Sequence, residues 1–285
     1  MKHRICNFLS IFLLFLPFAL PAQGWLELPA SVHPKLPEPR IVSTQYMRHD
    51  GGIVRSHTYR YDTGLRISLW VAYPLNKGLI GEGSRGDGWH PYVGIPEHLQ
   101  ASLYKGFRYG SGFDRGHQIP SADRLDPEIN YETFTFVNAT PQKHDFNGGV
   151  WADLEKLVRT WAKRSDTLYV VTGCVPGSES IKDNDGKDVN IPGAYYKTVL
   201  RRNTDRKGNL RWSMCAVFIP HDTESKPDWT VPQRNGYLRS FGIPVGQLEK
   251  VTGEVFFPNL ERIVGKKALD DMKAADPQEE TWWWK

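Results

Sequence analysis

The sequence predicts an α+β fold with a mixed, mainly antiparallel sheet. Three observations point to it. Short runs of alternating aromatic and β-branched residues are separated by turn residues, which is typical of hairpins. One later stretch repeats apolar residues at the spacing of an amphipathic helix. Strands and helices do not alternate in a βαβ rhythm, so a parallel α/β architecture is disfavoured.

Residues 1–22 are predicted to be a secretory signal peptide. A basic start precedes the apolar run at 8–20, and the small residue Ala22 follows it. A membrane anchor is the alternative, but a spanning helix needs roughly 20 apolar residues, and Pro17 interrupts this run. No later segment is apolar enough to span a bilayer. We therefore expect a secreted or periplasmic protein that has no membrane partner after cleavage.

Composition constrains the mature chain only weakly. Residues 1–22 hold Lys2 and Arg4 and no acidic residue, so their removal lowers the formal charge from +4 to +2. A charge that small does not by itself indicate a nucleic-acid partner. The remaining chain of about 260 residues is long enough for one large domain. We expect a proline-rich arm at 23–40 and a single domain at 41–285.

Two cysteines, Cys174 and Cys215, remain after the signal peptide. In an exported protein such a pair suggests a disulfide, while two separate buried thiols are the alternative. A zinc hydrolase is disfavoured because the chain has neither an HExxH nor a CxxC spacing.

The first predicted elements are a hairpin and a loop. Residues 57–61 and 67–73 are β-rich and flank a glycine-containing turn at 62–64. Residues 76–113 are rich in glycine and charge, and we expect a long surface loop. Loops of that length in a domain are usually functional.

The clearest helix is predicted to begin near Asn147. Apolar side chains recur along one face after it, at Val150, Leu154, Leu157, Val158 and Trp161. The remaining predictions are a buried strand at 168–174, a hairpin of 195–201 and 210–219 about the polar turn at 203–208, and helices near 245–252 and 266–274.

Two motifs carry the chemistry. The first, FDRGHQIPSAD, begins at Phe113 and crowds Asp114, Arg115 and His117 around a glycine. The second, NATPQKHDFNGGVW, starts at Asn138 and places Asn147 thirty residues after the histidine. Their joint occurrence at this spacing is specific, whereas DRGH alone is weak.

Together these motifs resemble the DNA/RNA non-specific endonuclease family, the ββα-metal nucleases that include mitochondrial endonuclease G. The resemblance covers roughly residues 57–260. It implies a ββα-metal nuclease core, a Mg²⁺ cofactor (Mn²⁺ possible), DNA and RNA as substrates, 5′-phosphate products and a possible homodimer. A catalytically inactive nucleic-acid-binding protein on the same fold is the alternative. The intact pair of His117 and Asn147 favours the enzyme.

The resemblance implies that His117 is the general base and that Asn147 is the metal ligand. An ordinary imidazole titrates near pH ~6.5 and is a competent base at neutral pH. A single amide oxygen suits Mg²⁺, which keeps most of its waters. The alternatives are a structural histidine and a helix N-cap asparagine.

Two further residues follow from the same resemblance. Asn138 matches an asparagine that orders the centre, although it could be a simple turn residue. Glu155 matches a glutamate that holds water of the metal's hydration shell. Eight residues along a helix separate it from Asn147 by about 12 Å, which disfavours direct ligation of one ion by both. The alternative is an exposed partner for Arg159.

Arg115 and Arg85 are the candidate phosphate ligands, because guanidinium meets phosphate in a planar two-donor fork. Arg115 belongs to the DRGH motif, whereas Arg85 matches an upstream loop arginine only approximately. Asp114 is expected to orient the motif rather than to bind metal.

The basic turn at 201–207 could track a nucleic-acid backbone or be a solvated tip. The terminal tryptophans at 282–284 could dock on the domain or touch a partner.

Overall fold

A seven-stranded antiparallel sheet organises the structure. In strand order it is β10-β9-β8-β7-β4-β3-β2, and two smaller sheets pair β5 with β6 and β1 with β11. The strands are β1 (Ala30–Ser31), β2 (Arg40–His49), β3 (Gly52–Asp62), β4 (Ile67–Leu75), β5 (Phe113–His117), β6 (Ala139–Lys143), β7 (Thr167–Lys182), β8 (Asp188–Thr204), β9 (Leu210–Pro220), β10 (Gly242–Ile243) and β11 (Glu254–Val255).

This computed structural model describes residues 25–31, 40–104 and 112–285. The predicted signal peptide and part of the predicted arm lie outside these ranges. The helices are α1 (Lys77–Ile80), α2 (Pro127–Glu132), α3 (His144–Phe146), α4 (Ala152–Lys163), α5 (Val231–Arg239), α6 (Val245–Thr252), α7 (Glu261–Val264) and α8 (Lys266–Ala274). No helix among these residues is long and apolar enough to cross a bilayer.

The sheet is covered on both faces, because successive side chains of a strand point to opposite sides. Val170 and Tyr195 lie on one face, in the cluster that contains Trp161 of α4. Val171 and Tyr196, their immediate neighbours, lie in the cluster that contains α6 and α8. The predicted α+β class with a mainly antiparallel sheet is therefore confirmed.

Both predicted hairpins are present. β3 and β4 pair antiparallel around the turn after Asp62, whose side chain accepts hydrogen bonds from Gly64 N and Leu65 N. β8 and β9 form the second hairpin. The edge strand β2 was not predicted, because its half-buried residues, RIVSTQYMRH, lack a clean apolar alternation.

The predicted amphipathic helix is present, and its apolar stripe is buried. It begins earlier than predicted, since α3 starts at His144 and continues through a π-helical turn, Asn147–Trp151, into α4. Asn147 has helical backbone angles, φ −62° and ψ −47°. The N-cap alternative for this residue is therefore wrong. Gly149 carries the non-helical angles at the kink.

The two cysteines are free thiols and both are buried. Cys174 lies on β7 and Cys215 on β9, with β8 between them. Strands two apart in a sheet are separated by about 9.5 Å, which exceeds the roughly 7 Å that a disulfide tolerates between Cα atoms. The disulfide expected from sequence is wrong, and the alternative of two separate thiols is confirmed.

Only part of the predicted surface loop at 76–113 lies at the protein surface. Among its described residues, 82–87 are exposed, whereas Tyr92, Ile95 and Leu103 belong to the core.

The terminal tryptophans dock on the domain. Trp283 is fully buried, and its carbonyl accepts a hydrogen bond of 2.7 Å from Trp161 Nε1.

Candidate active site

The β5–β6 hairpin and the helix that follows it bring the two motifs together. The strands pair from Phe113 with Lys143 to His117 with Ala139. Gly116 lies in the middle of this pairing, where an added Cβ would overlap the Gln142 side chain. A larger residue in place of the DRGH glycine would thus force the buried Gln142 side chain to move, whereas the backbone angle of Gly116 is not unusual.

A cleft of about 510 Å³ opens where the hairpin meets the helix. Three of the predicted site residues, Arg85, Arg115 and Asn147, share its wall. The full lining is Arg85, Gly86, Asp87, Trp89, Asp114, Arg115, His144, Asn147 and Gly148.

Asn147 is held in one orientation by Asp114. Its Nδ2 donates to Asp114 Oδ2 at 3.0 Å, and the same oxygen lies 3.0 Å from His144 Nδ1. Only the nitrogen side of an amide can donate to a carboxylate. The carbonyl oxygen of Asn147 is therefore the atom left for a ligand in the cleft.

His117 lies behind the wall of this cleft rather than in it. Its ring packs 4.6 Å from the ring of Trp89 and 4.9 Å from that of Phe134, and the residue is only 8% exposed. Its buried Nε2 has no hydrogen-bond partner among the described residues. Burial, together with the charges of Arg85 and Arg115, lowers the pKa of His117 to about 3. The imidazole is therefore neutral with one ring nitrogen uncommitted.

The two predicted phosphate ligands are held against aromatic rings beside His117. The guanidinium carbon of Arg115 lies 5.2 Å from the centre of the Trp89 ring, and its Nη1 donates to Leu103 O at 2.9 Å. Arg85 lies on an exposed loop, and its guanidinium carbon is 5.5 Å from the centre of the Phe134 ring. Both cations thus stand close to the proposed base and to the open cleft.

Asn138 acts inside the protein. It is fully buried, its Nδ2 donates to Ile119 O and Thr133 O, and its Oδ1 accepts from Ile119 N at 3.0 Å. These bonds fix the chain two residues after His117. The Asn138 side chain therefore holds the backbone near His117 and does not line the cleft.

Glu155 lies two turns after Asn147, half-buried and outside the cleft lining. Burial raises the pKa of Glu155, and the nearby charges of Lys197 and Arg159 oppose that rise. Glu155 is not exposed, and the salt bridge of Arg159 is with Asp123 at 3.0 Å, although Arg159 still interacts electrostatically with Glu155.

Comparison with known proteins decides what these motifs belong to. Residues 46–263 match the family described as DNA/RNA non-specific endonuclease. The chain belongs to this family. Its members are nucleases, enzymes that hydrolyse phosphodiester bonds, and the predicted resemblance is confirmed.

Individual relatives agree with the DNA/RNA non-specific endonuclease assignment. A nuclease from Nostoc sp. is 31% identical over 240 residues, which cover 81% of this chain and 82% of the relative. The nuclease of Serratia marcescens is 28% identical, covering 73% and 75%. Human mitochondrial nuclease EXOG is 28% identical over 79% of this chain, but the chain spans only 62% of its length.

A solved structure shows the same fold. The crystal structure of the EndoG/EndoGI complex aligns with a TM-score of 0.57 at 23% identity, covering 76% of this chain and 87% of the other. At that identity the likeness concerns the fold alone. It confirms the predicted ββα-metal core, which in this endonuclease consists of β5, β6 and the α3–α4 helix.

The donor set of this endonuclease fits a lightly held Mg²⁺. No group of three or more His, Cys, Asp or Glu side chains able to hold a metal occurs in the part of the chain that the structure describes. Mg²⁺ does not need one, because it keeps several waters and takes one or two protein oxygens. The oriented amide oxygen of Asn147 in an open cleft would be a ligand of this kind.

Sequence reasoning missed Trp89, which lines the cleft of this endonuclease and packs against His117, and the burial of two charged residues outside the cleft lining, Asp123 and Lys197. Lys197 had a detectable signal, a single charge within the otherwise apolar strand segment YYKTVL, since lysine is almost never fully buried. Trp89 lies in a polar, glycine-rich loop. No local sequence pattern there indicates whether a tryptophan lines a cleft or lies exposed on the surface.

Proposed function

We propose that the mature protein is a secreted, Mg²⁺-dependent endonuclease that hydrolyses DNA and RNA with little sequence preference. The observation that carries the proposal is the neutral His117, whose unpartnered Nε2 lies beside two arginines and behind a cleft that holds an oriented asparagine. Secretion rests on the signal-peptide pattern of residues 1–22.

The reaction requires water to reach His117 Nε2, which is buried in this structure; there the imidazole takes the proton of the attacking water as a general base. Arg85 and Arg115 hold the scissile phosphate by charge and by paired N–H donors. The carbonyl oxygen of Asn147, oriented by Asp114, would hold Mg²⁺ or Mn²⁺, and such an ion would supply positive charge that stabilises the transition state.

Substrate binding strengthens the base. In the free enzyme burial, Arg85 and Arg115 keep the pKa of His117 low. A phosphate that pairs with both guanidinium groups cancels part of their repulsion of an imidazolium ion. The pKa of His117 therefore rises when substrate is bound, and proton transfer becomes more favourable at that moment.

The described lining of the cleft also suits a non-specific enzyme. Beside two aspartates, a histidine and a tryptophan, it offers two arginines and an amide. Arginine and amide groups bind a phosphate backbone, and such contacts position a nucleic acid without reading its sequence. A substrate with a ribose or a deoxyribose presents the same phosphodiester to these residues.

Digestion of plasmid DNA and of RNA tests the proposal, with Mg²⁺, with Mn²⁺ and with EDTA. We expect both substrates to be cut in a metal-dependent manner, and His117→Ala to lower the rate by about 10²–10⁴-fold while binding persists. His98→Ala, at an exposed histidine, is the matched control. A wild-type protein that binds nucleic acid but never cuts it is the inactive binder instead. N-terminal sequencing of exported protein checks cleavage after residue 22.

A further inference from the structure

A buried histidine outside the cleft contacts the start of the helix that carries Asn147. His221 directly follows β9 and is only 4% exposed. Its Nε2 accepts a hydrogen bond of 2.8 Å from Lys143 N, and its Nδ1 lies 2.7 Å from Pro192 O. Because a carbonyl oxygen can only accept, the ring proton is on Nδ1. Both ring nitrogens are therefore committed, whereas Nε2 of His117 has no partner among the described residues.

The hydrogen bond from Lys143 lies at the junction of β6 and α3. Lys143 is the last residue of β6 and the N-cap of α3. The first N–H groups of a helix have no partner within the helix and need one from elsewhere. Among the described residues no side-chain hydrogen bond caps α3 at this end. The imidazole of His221 supplies the partner for the N-cap N–H instead.

His221 also contacts the other end of α3. Its ring packs edge-to-face on Phe146, with ring centres 5.1 Å apart. Phe146 is the last residue of α3 and directly precedes Asn147. The ring of Tyr195, on β8, lies 5.0 Å from that of His221. Because α3 is only three residues long, the contacts at Lys143 and Phe146 fix both of its ends to the large sheet.

The position of α3 matters for the cleft. His144, its first residue, lines the cleft, and its Nδ1 lies 3.0 Å from Asp114 Oδ2. The same oxygen accepts from Asn147 Nδ2 at 3.0 Å. Functional groups need to be held within about 0.5 Å of their working geometry. A small shift of α3 against the β5–β6 hairpin would therefore separate Asn147 from the carboxylate that orients it.

We propose that His221 is a positioning residue of the nuclease site, whose hydrogen bond to Lys143 and ring contact with Phe146 hold α3 where the Asn147 amide meets Asp114. This inference rests on the proposed role of Asn147 as the metal ligand. It requires a neutral imidazole, since an imidazolium ion has no acceptor for Lys143 N. Burial lowers the pKa of His221 to about 4, so the neutral form prevails at neutral pH.

Packing alone is the other explanation for a buried histidine. His221→Phe separates the two explanations, because a phenyl ring can still pack on Phe146 but can neither donate nor accept. His221→Gln is the rescue variant, since an amide offers one acceptor and a donor group. If His221→Phe does not fold, His221→Leu removes the same hydrogen bonds with a smaller side chain, and the same results are expected of it.

Amide hydrogen exchange of the metal-free protein provides the first test. In His221→Phe we expect the amides of residues 143–151 to exchange about tenfold faster than in the wild type, as local opening becomes easier without the hydrogen bond. His221→Gln should restore part of the protection. Leu269→Ala, in the buried cluster on the opposite face of the sheet, controls for a general loss of stability and should not single out this segment. Equal exchange of 143–151 in His221→Phe and wild type overturns the inference.

Binding of Mn²⁺ without substrate, followed by electron paramagnetic resonance, provides the second test. We expect binding to be about tenfold weaker in His221→Phe, as when other groups that orient a ligand are lost, and unchanged in Leu269→Ala. An unchanged affinity in His221→Phe contradicts the inference. In an Asn147→Ala background, His221→Phe should weaken binding no further. If Asn147→Ala itself binds Mn²⁺ as tightly as the wild type, the proposed ligand is wrong, whereas faster exchange of 143–151 would still support the contact of His221 with α3.

Discussion

One oxygen of Asp114 accepts from Asn147 Nδ2 and lies within hydrogen-bond distance of His144 Nδ1, each at 3.0 Å. This relationship joins the strand that carries the DRGH motif to the helix that carries the asparagine. The carboxylate decides which end of the Asn147 amide faces the cleft. Asp114 thus orients the amide of the proposed metal ligand.

Asp114→Ala should therefore weaken the response to metal. Loss of the partner that orients a ligand typically costs 10–100-fold in metal affinity or activity. We expect the Mg²⁺ concentration for half-maximal cleavage to rise by about tenfold or more. Asp145→Ala, at an exposed acidic residue on the same helix, should leave the titration unchanged. Equal titrations for wild type and Asp114→Ala would show that Asn147 needs no such support.

Trp89→Ala should shift the pH profile, because the indole shields His117. Burial is the largest cause of the low pKa of His117. Admitting water raises that pKa toward its ordinary value of 6.5, so a larger fraction of the imidazole is protonated in mild acid and cannot act as a base. Activity at pH 5 relative to pH 8 should therefore fall in the variant, measured as kcat/KM.

Trp212→Ala is the matched control for this shift. Trp212 is a partly exposed tryptophan that packs on the opposite face of the sheet, against the α6–α8 cluster. Its removal should leave the pH profile as it is in the wild-type enzyme. If the fall in kcat/KM at acid pH is also unchanged in Trp89→Ala, a group other than Trp89 shields His117.

The elements that could be predicted from the sequence are those with a recognisable pattern within a short stretch of residues. The apolar stripe of α4 and the two hairpins follow from residue spacing, and the DRGH and asparagine motifs identify a site through residue types. Arg85, Arg115 and Asn147 do share one cleft. Burial of His117 behind Trp89 was not predictable, because it depends on where a glycine-rich loop folds back.

Long-range geometry explains the errors. Whether Cys174 and Cys215 can bond depends on the order of strands in the sheet, which no local pattern contains. The N-cap interpretation of Asn147 failed because α3 precedes it and the kink lies at Gly149. Lys197 lies on a strand fifty residues after Asn147, and its burial against the Trp151 ring depends on how that strand packs on the helix.

Gly116→Ala should damage the hairpin of the active site. The added Cβ would overlap the side chain of Gln142, which is itself buried. Overpacking of this kind typically costs about 1–3 kcal/mol. We expect a lower midpoint in urea unfolding and a reduced rate of cleavage, because the hairpin carries His117.

A second glycine provides the control for this substitution. Gly236 lies within α5, and a Cβ there meets no atom within 4 Å. Ala at a helix-interior glycine is stabilising by roughly 0.5–1 kcal/mol. Gly236→Ala should therefore raise the urea midpoint while Gly116→Ala lowers it. A shift of the same sign in both variants would contradict the role assigned to the Gln142 contact.

Trp283→Ala should destabilise the whole domain, although the residue is third from the end of the chain. The indole is fully buried against Trp161 of α4, with ring centres 4.8 Å apart, and its Nε1 donates to Glu280 at 2.9 Å. Truncation of a buried tryptophan costs about 3–5 kcal/mol, which for a domain of this size lowers the melting temperature by roughly 10 °C. Trp282→Ala, at a half-buried ring beside Arg201, should cost less. Equal melting temperatures for Trp283→Ala and wild type would mean that the tail does not anchor α4, whereas the expected loss makes the terminal tryptophans part of the support for the helix that carries Glu155.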